Sequence, residues 1–214
     1  MKIELDAERP ENFRVEWDGQ YDIFSYLEFV CSVPSPMFLV TTRKENGLPN
    51  AAMQAWSCFG GDSGGYFAVM QGVMQRTHTY KNILREKEFC INFLAPQYYD
   101  NCRETVFKNE EEADEIAIGG MTAEPSSAIG APRIREAFLT MECTLESHTD
   151  LSGAGINSMI VGRVRHVSVD SNHGSIANIC SPNAFMYNVH SPKDAQTGLG
   201  ETSAVAALSF LREG

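Results

Sequence analysis

The sequence predicts a mainly β protein, an antiparallel barrel with helical additions. Through the middle of the chain, short apolar and β-branched runs alternate with Gly, Asn and Pro turn signals. Only a few short stretches have helical spacing, and there is little of the strand–helix–strand alternation that a doubly wound sheet requires.

Taken in order, Phe13, Trp17, Tyr21, Phe24, Tyr26 and Phe29 give residues 1–33 the character of an N-terminal extension packed over the main body. Pro34 and Pro36 precede an apolar run over 37–42 that reads as a buried strand. Glu45-Asn46-Gly47 signals a turn, and residues 48–52 lead into a second run through Trp56 and Phe59. The glycine-rich stretch 60–65 reads as a hairpin connection to a third strand over 66–70, and the three segments are expected to form a meander. A helix is expected over 79–86, capped by Thr77 or Thr79, because a threonine hydroxyl accepts a bond from a free amide of the first turn. The strand expected over 89–94 carries Asn92, read as satisfying strand backbone. A second helix follows over about 98–106, and the acidic run 109–115 reads as a solvated surface. Strands return over 138–145 and 159–169 around a turn at 152–155. The main domain is expected over 34–190 and a polar tail over 191–214, with a terminal helix over 203–211.

Charge narrows the function. With 28 acidic and 17 basic side chains the net charge is −11, which disfavours broad nucleic-acid binding, since that rests on Lys and Arg neutralising phosphates. No run reaches the roughly 18 to 20 apolar residues of a membrane helix, and the polar, acidic start does not read as a signal peptide, so the expected address is cytoplasmic. The cysteines form no C-x-x-C pair, and Cys58, Cys90 and Cys143 sit in apolar runs, as buried reduced thiols do. The five histidines form no H-x-x-x-H pair, so no metal site is expected. The 60–65 loop lacks P-loop spacing and 151–155 lacks a nucleophile elbow, which leaves no catalytic constellation.

One stretch gathers polar chemistry. Gln75-Arg76-Thr77-His78-Thr79-Tyr80-Lys81-Asn82-Ile83 places a guanidinium, hydroxyls, an ammonium and an amide at the start of a helix. Helix N-terminal amides and basic side chains together suit a phosphate, although the same residues also read as plain capping.

The surrounding motifs widen the meaning of that stretch. Pro34-x-Pro36-Met37-Phe38-Leu39-Val40-Thr41-Thr42, Asn46-Gly47-x-Pro49-Asn50-Ala51-Ala52, Arg76-Thr77-x-Thr79-Tyr80-x-Asn82-Ile83 and Glu88-Phe89-x-Ile91-Asn92 follow one another in that order. Ala131-Pro132-Arg133-Ile134-Arg135-Glu136-Ala137, Met141-Glu142-Cys143 and Ile160-Val161-Gly162-Arg163-Val164 come after them. Over about residues 34–169 the chain resembles the flavin reductase-like family, FMN-binding split barrels that include flavoredoxins. The resemblance implies a six-stranded antiparallel split barrel, a homodimer, FMN as cofactor, and NADH or NADPH as electron donor. By position it implies that Asn50 and Ala55, Trp56 and Ser57 lie against the flavin or its ribityl chain, with Thr41 nearby. Arg76, Thr77, Thr79 and Asn82, helped by Lys81, would hold the phosphate. Trp56 reads equally well as core. Where many relatives carry histidines before the Ile160-Val161-Gly162 strand, this chain has Asn157 and Ser158, which bears on the nicotinamide site. The alternative reading is an FMN-binding electron carrier reduced by a partner protein.

Overall fold

The computed structural model describes residues 2–179, 181, 183–200 and 205–206. Two short helices, α1 (Gln20–Ile23) and α2 (Tyr26–Cys31), precede strands β1 (Ser35–Arg43), β2 (Pro49–Gln54), β3 (Ser57–Asp62) and β4 (Gly65–Met74). Then come α3 (His78–Glu86), β5 (Glu88–Phe93), α4 (Tyr99–Phe107), α5 (Glu115–Ile118), β6 (Ala123–Glu124) and β7 (Arg133–Ile134). The chain continues through β8 (Leu139–Thr149), β9 (Asn157–Val169), α6 (Ile176–Ile179), β10 (Met186–Asn188) and β11 (Val205–Ala206). Among the described residues the principal sheet has nine strands rather than the six implied, in the order β11-β10-β1-β5-β8-β9-β4-β3 with β2 on β1, and it curls into the half-barrel of a split-barrel fold.

Strand β1 is buried on both faces over residues 37–42 because it serves two cores. Alternate side chains point to opposite faces: Phe38 and Val40 face the barrel interior with Met70, Phe89 and Ile91, whereas Met37 and Leu39 pack outside with Leu94, Cys102 and Ile116. Gly162 in β9 is glycine for steric reasons, since a Cβ there would run into the Phe89 ring.

The expected meander does not form. Among the described residues β2 pairs with β1 and β3 with β4, while β4 goes on to pair with β9. The chain breaks direction at Ala55 and Trp56, where Trp56 takes a left-handed φ of 47°. Asn92 satisfies backbone as expected: its amide donates to Leu39 O (3.2 Å) and Thr41 Oγ1 (3.0 Å), and its Oδ1 accepts from Ile134 N–H at 2.8 Å. The 126–132 segment is held by carboxylates. Glu88 accepts from the amides of Gly130 (2.6 Å) and Ala131 (2.9 Å), and buried Glu142 accepts from Ser127 N–H at 2.8 Å.

The acidic run is not wholly a solvated surface. Glu115, its last member, is fully buried and pairs with Lys44 Nζ at 2.8 Å, and the same ammonium donates to Glu110 O and Ala113 O, each at 2.7 Å. Burial raises the Glu115 pKa, and Lys44 opposes that rise. The run is therefore strapped to the end of β1.

Cys58, expected to be buried, is exposed, because the β3 burial pattern turns it outward; Cys90 and Cys143 are buried as expected, and burial pushes the Cys143 thiol up to about 12. Cys180 lies outside the described residues. So does the terminal helix expected over 203–211, except for Val205–Ala206, which pair as a strand with Tyr187 and Asn188. Within residues 2–33, Phe13, Tyr26 and Phe29 are buried.

Candidate functional site

Three adjoining clefts form a trough along β2 and β4. The narrowest, about 160 Å³, begins at Thr77 and Thr79 and runs beside Ala51, Met53 and Gln54. It meets a middle cleft of about 470 Å³ at Gly72, and the middle cleft meets an outer one of about 420 Å³ at Glu28, Trp56 and Gln71.

The narrow end is built by the start of α3. Thr77 is the N-cap, its Oγ1 accepting from Tyr80 N–H (3.3 Å) and donating to Met74 O (2.7 Å). The amides of His78 and Thr79, at the first helical positions, have no intrahelical partner. Arg76 and Lys81 are exposed, and neither forms an ion pair among the described residues. Asn50 donates to Thr79 Oγ1 and Asn82 to Thr42 Oγ1, both at 3.0 Å, which docks the helix on the β1–β2 hairpin. Asn109 forms part of the far wall, on the segment tied down by Lys44, and Glu111 of that segment lies 3.3 Å from His78 Nε2.

The middle of the trough exists because β4 is irregular. Its register with β9 slips between Met70 and Val73, a bulge of the kind that re-aims side chains near binding sites. Gly72 there has φ +68°, which favours glycine, and Gln71 N–H donates to Trp56 O at 2.9 Å. Asn157 Oδ1 and Ser158 Oγ, both in this cleft, are buried with no hydrogen-bond partner among the described residues.

At the outer end, Trp56 stacks on Phe24 of the N-terminal extension (5.5 Å, 23°) and on His190 of the C-terminal segment (4.8 Å, 29°). Burial holds the His190 imidazole below its usual pKa. Glu28 completes the capping box of α2, accepting from Ser25 N–H at 3.2 Å. Burial holds its carboxyl above the ordinary range, opposed by that amide and by the Trp56 indole.

The structure thus brings Thr77, Thr79, Trp56 and Ser57 into the trough walls and sets Arg76 and Lys81 at one end. Asn50 and Asn82 sit behind the wall as supports for α3, and Ala55 is buried beside Trp56 without lining a cleft. Thr41 is not brought there at all: it is fully buried and bonded to Pro132 O and Asn92, because it faces the side of β1 away from the trough. Sequence reasoning missed Glu28, Gln71, Gly72 and His190. Only Gly72, a glycine inside an apolar strand pattern, left a local signal, that of a bulge.

Comparison with known proteins supplies the lineage. The family described as Flavin reductase like domain matches residues 30–188. An uncharacterised protein of Aquifex aeolicus is 31% identical over 118 residues, which span 53% of this chain and 59% of that protein. A split-barrel structure from Shewanella frigidimarina NCIMB 400, described as a flavin reductase, aligns with a TM-score of 0.74 over 98% of both chains at 16% identity. Flavoredoxin of Desulfovibrio vulgaris (Miyazaki F) aligns at 0.59, with 23% identity over 68% of this chain and 75% of that one. At such identities the two structures speak for the fold alone. The family match covers most of the chain, over a half-barrel whose trough has a basic helix start at one end, and the chain belongs to the flavin reductase-like family.

Proposed function

We propose that the protein binds FMN non-covalently in the trough and acts in the cytoplasm, as a homodimer, as an NAD(P)H-linked reductase of the flavoredoxin type. The observation that carries this reading is the trough itself, elongated, basic at the α3 end and open for a flat ring at the other. The donor set suits the cofactor. Free amides of His78 and Thr79, the Thr79 hydroxyl, and the Arg76 and Lys81 charges match a phosphate. The unpartnered Asn157 Oδ1 and Ser158 Oγ match the polar edge of an isoalloxazine ring.

A bound flavin supplies the hydride chemistry, accepting at N5, so no side-chain acid, base or nucleophile is required. The protein's part is to bind and orient. Arg76 and α3 anchor the charged end, β2 guides the chain, and the Gly72 bulge lets the ring approach the backbone. Trp56 with Phe24 closes the far side against water. Asn157 and Ser158 stand where, by the family resemblance, many relatives carry one or two histidines; Asn157 Nδ2 donates to Ile23 O at 2.9 Å, so the N-terminal segment meets that part of the wall.

An absorbance spectrum of the purified protein, with the released flavin identified chromatographically as FMN or FAD, tests the reading. Replacing Arg76 and Thr79 together by alanine is expected to weaken FMN binding about a hundredfold or more, since each hydrogen bond to a charged group is worth about 1.5–3 kcal/mol. A colourless protein that ignores added FMN would overturn it. Rapid mixing with NADH and NADPH separates a reductase, whose flavin bleaches, from a carrier reduced by a partner protein.

A further inference from the structure

The charges along the trough are divided. The α3 end has Arg76, His78 and Lys81, whereas neither the middle nor the outer cleft is lined by a single Lys or Arg. The outer cleft has one carboxylate, Glu28, set among Leu27, Val33, Val69, Trp56 and His190. Glu28 Oε1 takes the Ser25 amide, the Trp56 indole also favours its ionised form, and the side chain is half-buried at the cleft wall. An anion placed beside this carboxylate would find no counter-charge, whereas a cation would pair with it. The neighbouring indole adds attraction for positive charge. The volume, about 420 Å³, admits a small ring.

We infer that the outer cleft is a binding site for a small flat organic cation, and that Glu28, which precedes the matched family domain, determines this specificity. The cleft abuts the middle one across Trp56, so its occupant lies beside the proposed flavin site; that placement rests on the flavin reading, whereas the charge selection does not. Helix α2 thereby contributes ligand choice through Glu28.

Calorimetric titration of the purified protein with three rings of matched size, 1-methylnicotinamide (cation), nicotinamide (neutral) and nicotinate (anion), tests this at pH 8. The cation is expected to bind about tenfold or more tighter than the anion, a difference of about 1.4 kcal/mol. In Glu28→Gln, whose amide oxygen can still take the Ser25 N–H and keep the α2 cap, that ratio is expected to fall below about threefold. Equal affinities in the wild-type protein, tighter binding of nicotinate, or no binding by any of the three overturns the assignment, even if the variant fails to fold. A ratio unchanged in a folded Glu28→Gln overturns the role of Glu28. The flavin spectrum is recorded on the same sample: charge discrimination in a flavin-free protein keeps the cation site and removes the flavin reading, and a flavin-loaded protein without discrimination does the reverse.

Discussion

At the α3 end of the trough, the candidate phosphate donors lie in one consecutive stretch, Arg76 to Lys81, on a helix whose cap is local. The Trp56 end draws Glu28 from α2, Trp56 from the break after β2, Gln71 from a bulge in β4, and His190 from beyond β10. The first is a property of local chain chemistry. The second exists only after the half-barrel has closed and the segments carrying Glu28 and His190 have folded over it. Disturbing the local end should therefore act through the supports that dock the helix and its facing wall, while disturbing the assembled end should detach a terminus and leave the barrel intact.

The largest effect is expected at Lys44, which supports the wall opposite α3. Lys44→Ala leaves Glu115 buried without its counter-charge and is expected to cost about 3–5 kcal/mol in denaturant unfolding. The double change Lys44→Met with Glu115→Leu is expected to recover most of that loss, because it removes both charges. If Lys44→Ala unfolds like the wild type, the buried pair does not hold the 109–115 segment. Next in size is Phe24→Ala at the other end. Losing the stack on Trp56 and its buried area is expected to cost about 2 kcal/mol of local stability, read as faster hydrogen exchange across α1 and α2 with β8 and β9 unchanged. Equal acceleration throughout the barrel would show that the extension is integral rather than docked.

The same division explains what could be read from the sequence. The runs at β1, β5, β8 and β9 were legible because burial on one or both faces imposes an apolar or alternating pattern. The cap was legible as Thr77 or Thr79, of which the structure uses Thr77, and the motifs over 34–169 pointed to the family. The β2–β3 break was not, because nothing local distinguishes Trp56 at φ 47° from a residue continuing its strand. Glu115 looked like another surface acid because its partner, Lys44, lies far away in sequence. Thr41 was misplaced for a simpler reason: side chains alternate along a strand, and its face could not be known before the strand had partners. Glu28 and His190 carried no signal, since an isolated carboxylate and an isolated imidazole gain meaning only from what folding places beside them.

A smaller effect tests whether the α3 end is as local as it looks. Thr77→Ala removes the hydroxyl that caps Tyr80 N–H and is expected to cost about 1 kcal/mol in global stability, as cap removals do. Thr77→Ser should restore most of it. A much larger loss would mean that Thr77 anchors the β4–α3 corner through Met74 O, and that this end too depends on tertiary closure.

The smallest effect distinguishes the ends by pH. Burial depresses the His190 pKa below its ordinary value of 6.5, so the folded protein favours the neutral imidazole stacked on Trp56. As pH falls below 6.5, the unfolded chain takes up a proton before the folded one, and linkage then lowers stability until the folded pKa is passed. The contribution is therefore complete above 6.5 and lost on acidification. Glu28 works in the opposite sense, since a carboxyl whose folded pKa is raised favours folding as pH drops, so the two must be separated by mutation. Subtracting the melting temperature of His190→Gln from that of the wild type, pH by pH, cancels Glu28. That difference should be flat above 6.5 and decline below it, and the same acidification should change Trp56 fluorescence in a Trp17→Phe background. A difference that stays constant across the range would mean that His190 titrates alike in both states and that its stack on Trp56 does not exclude the proton.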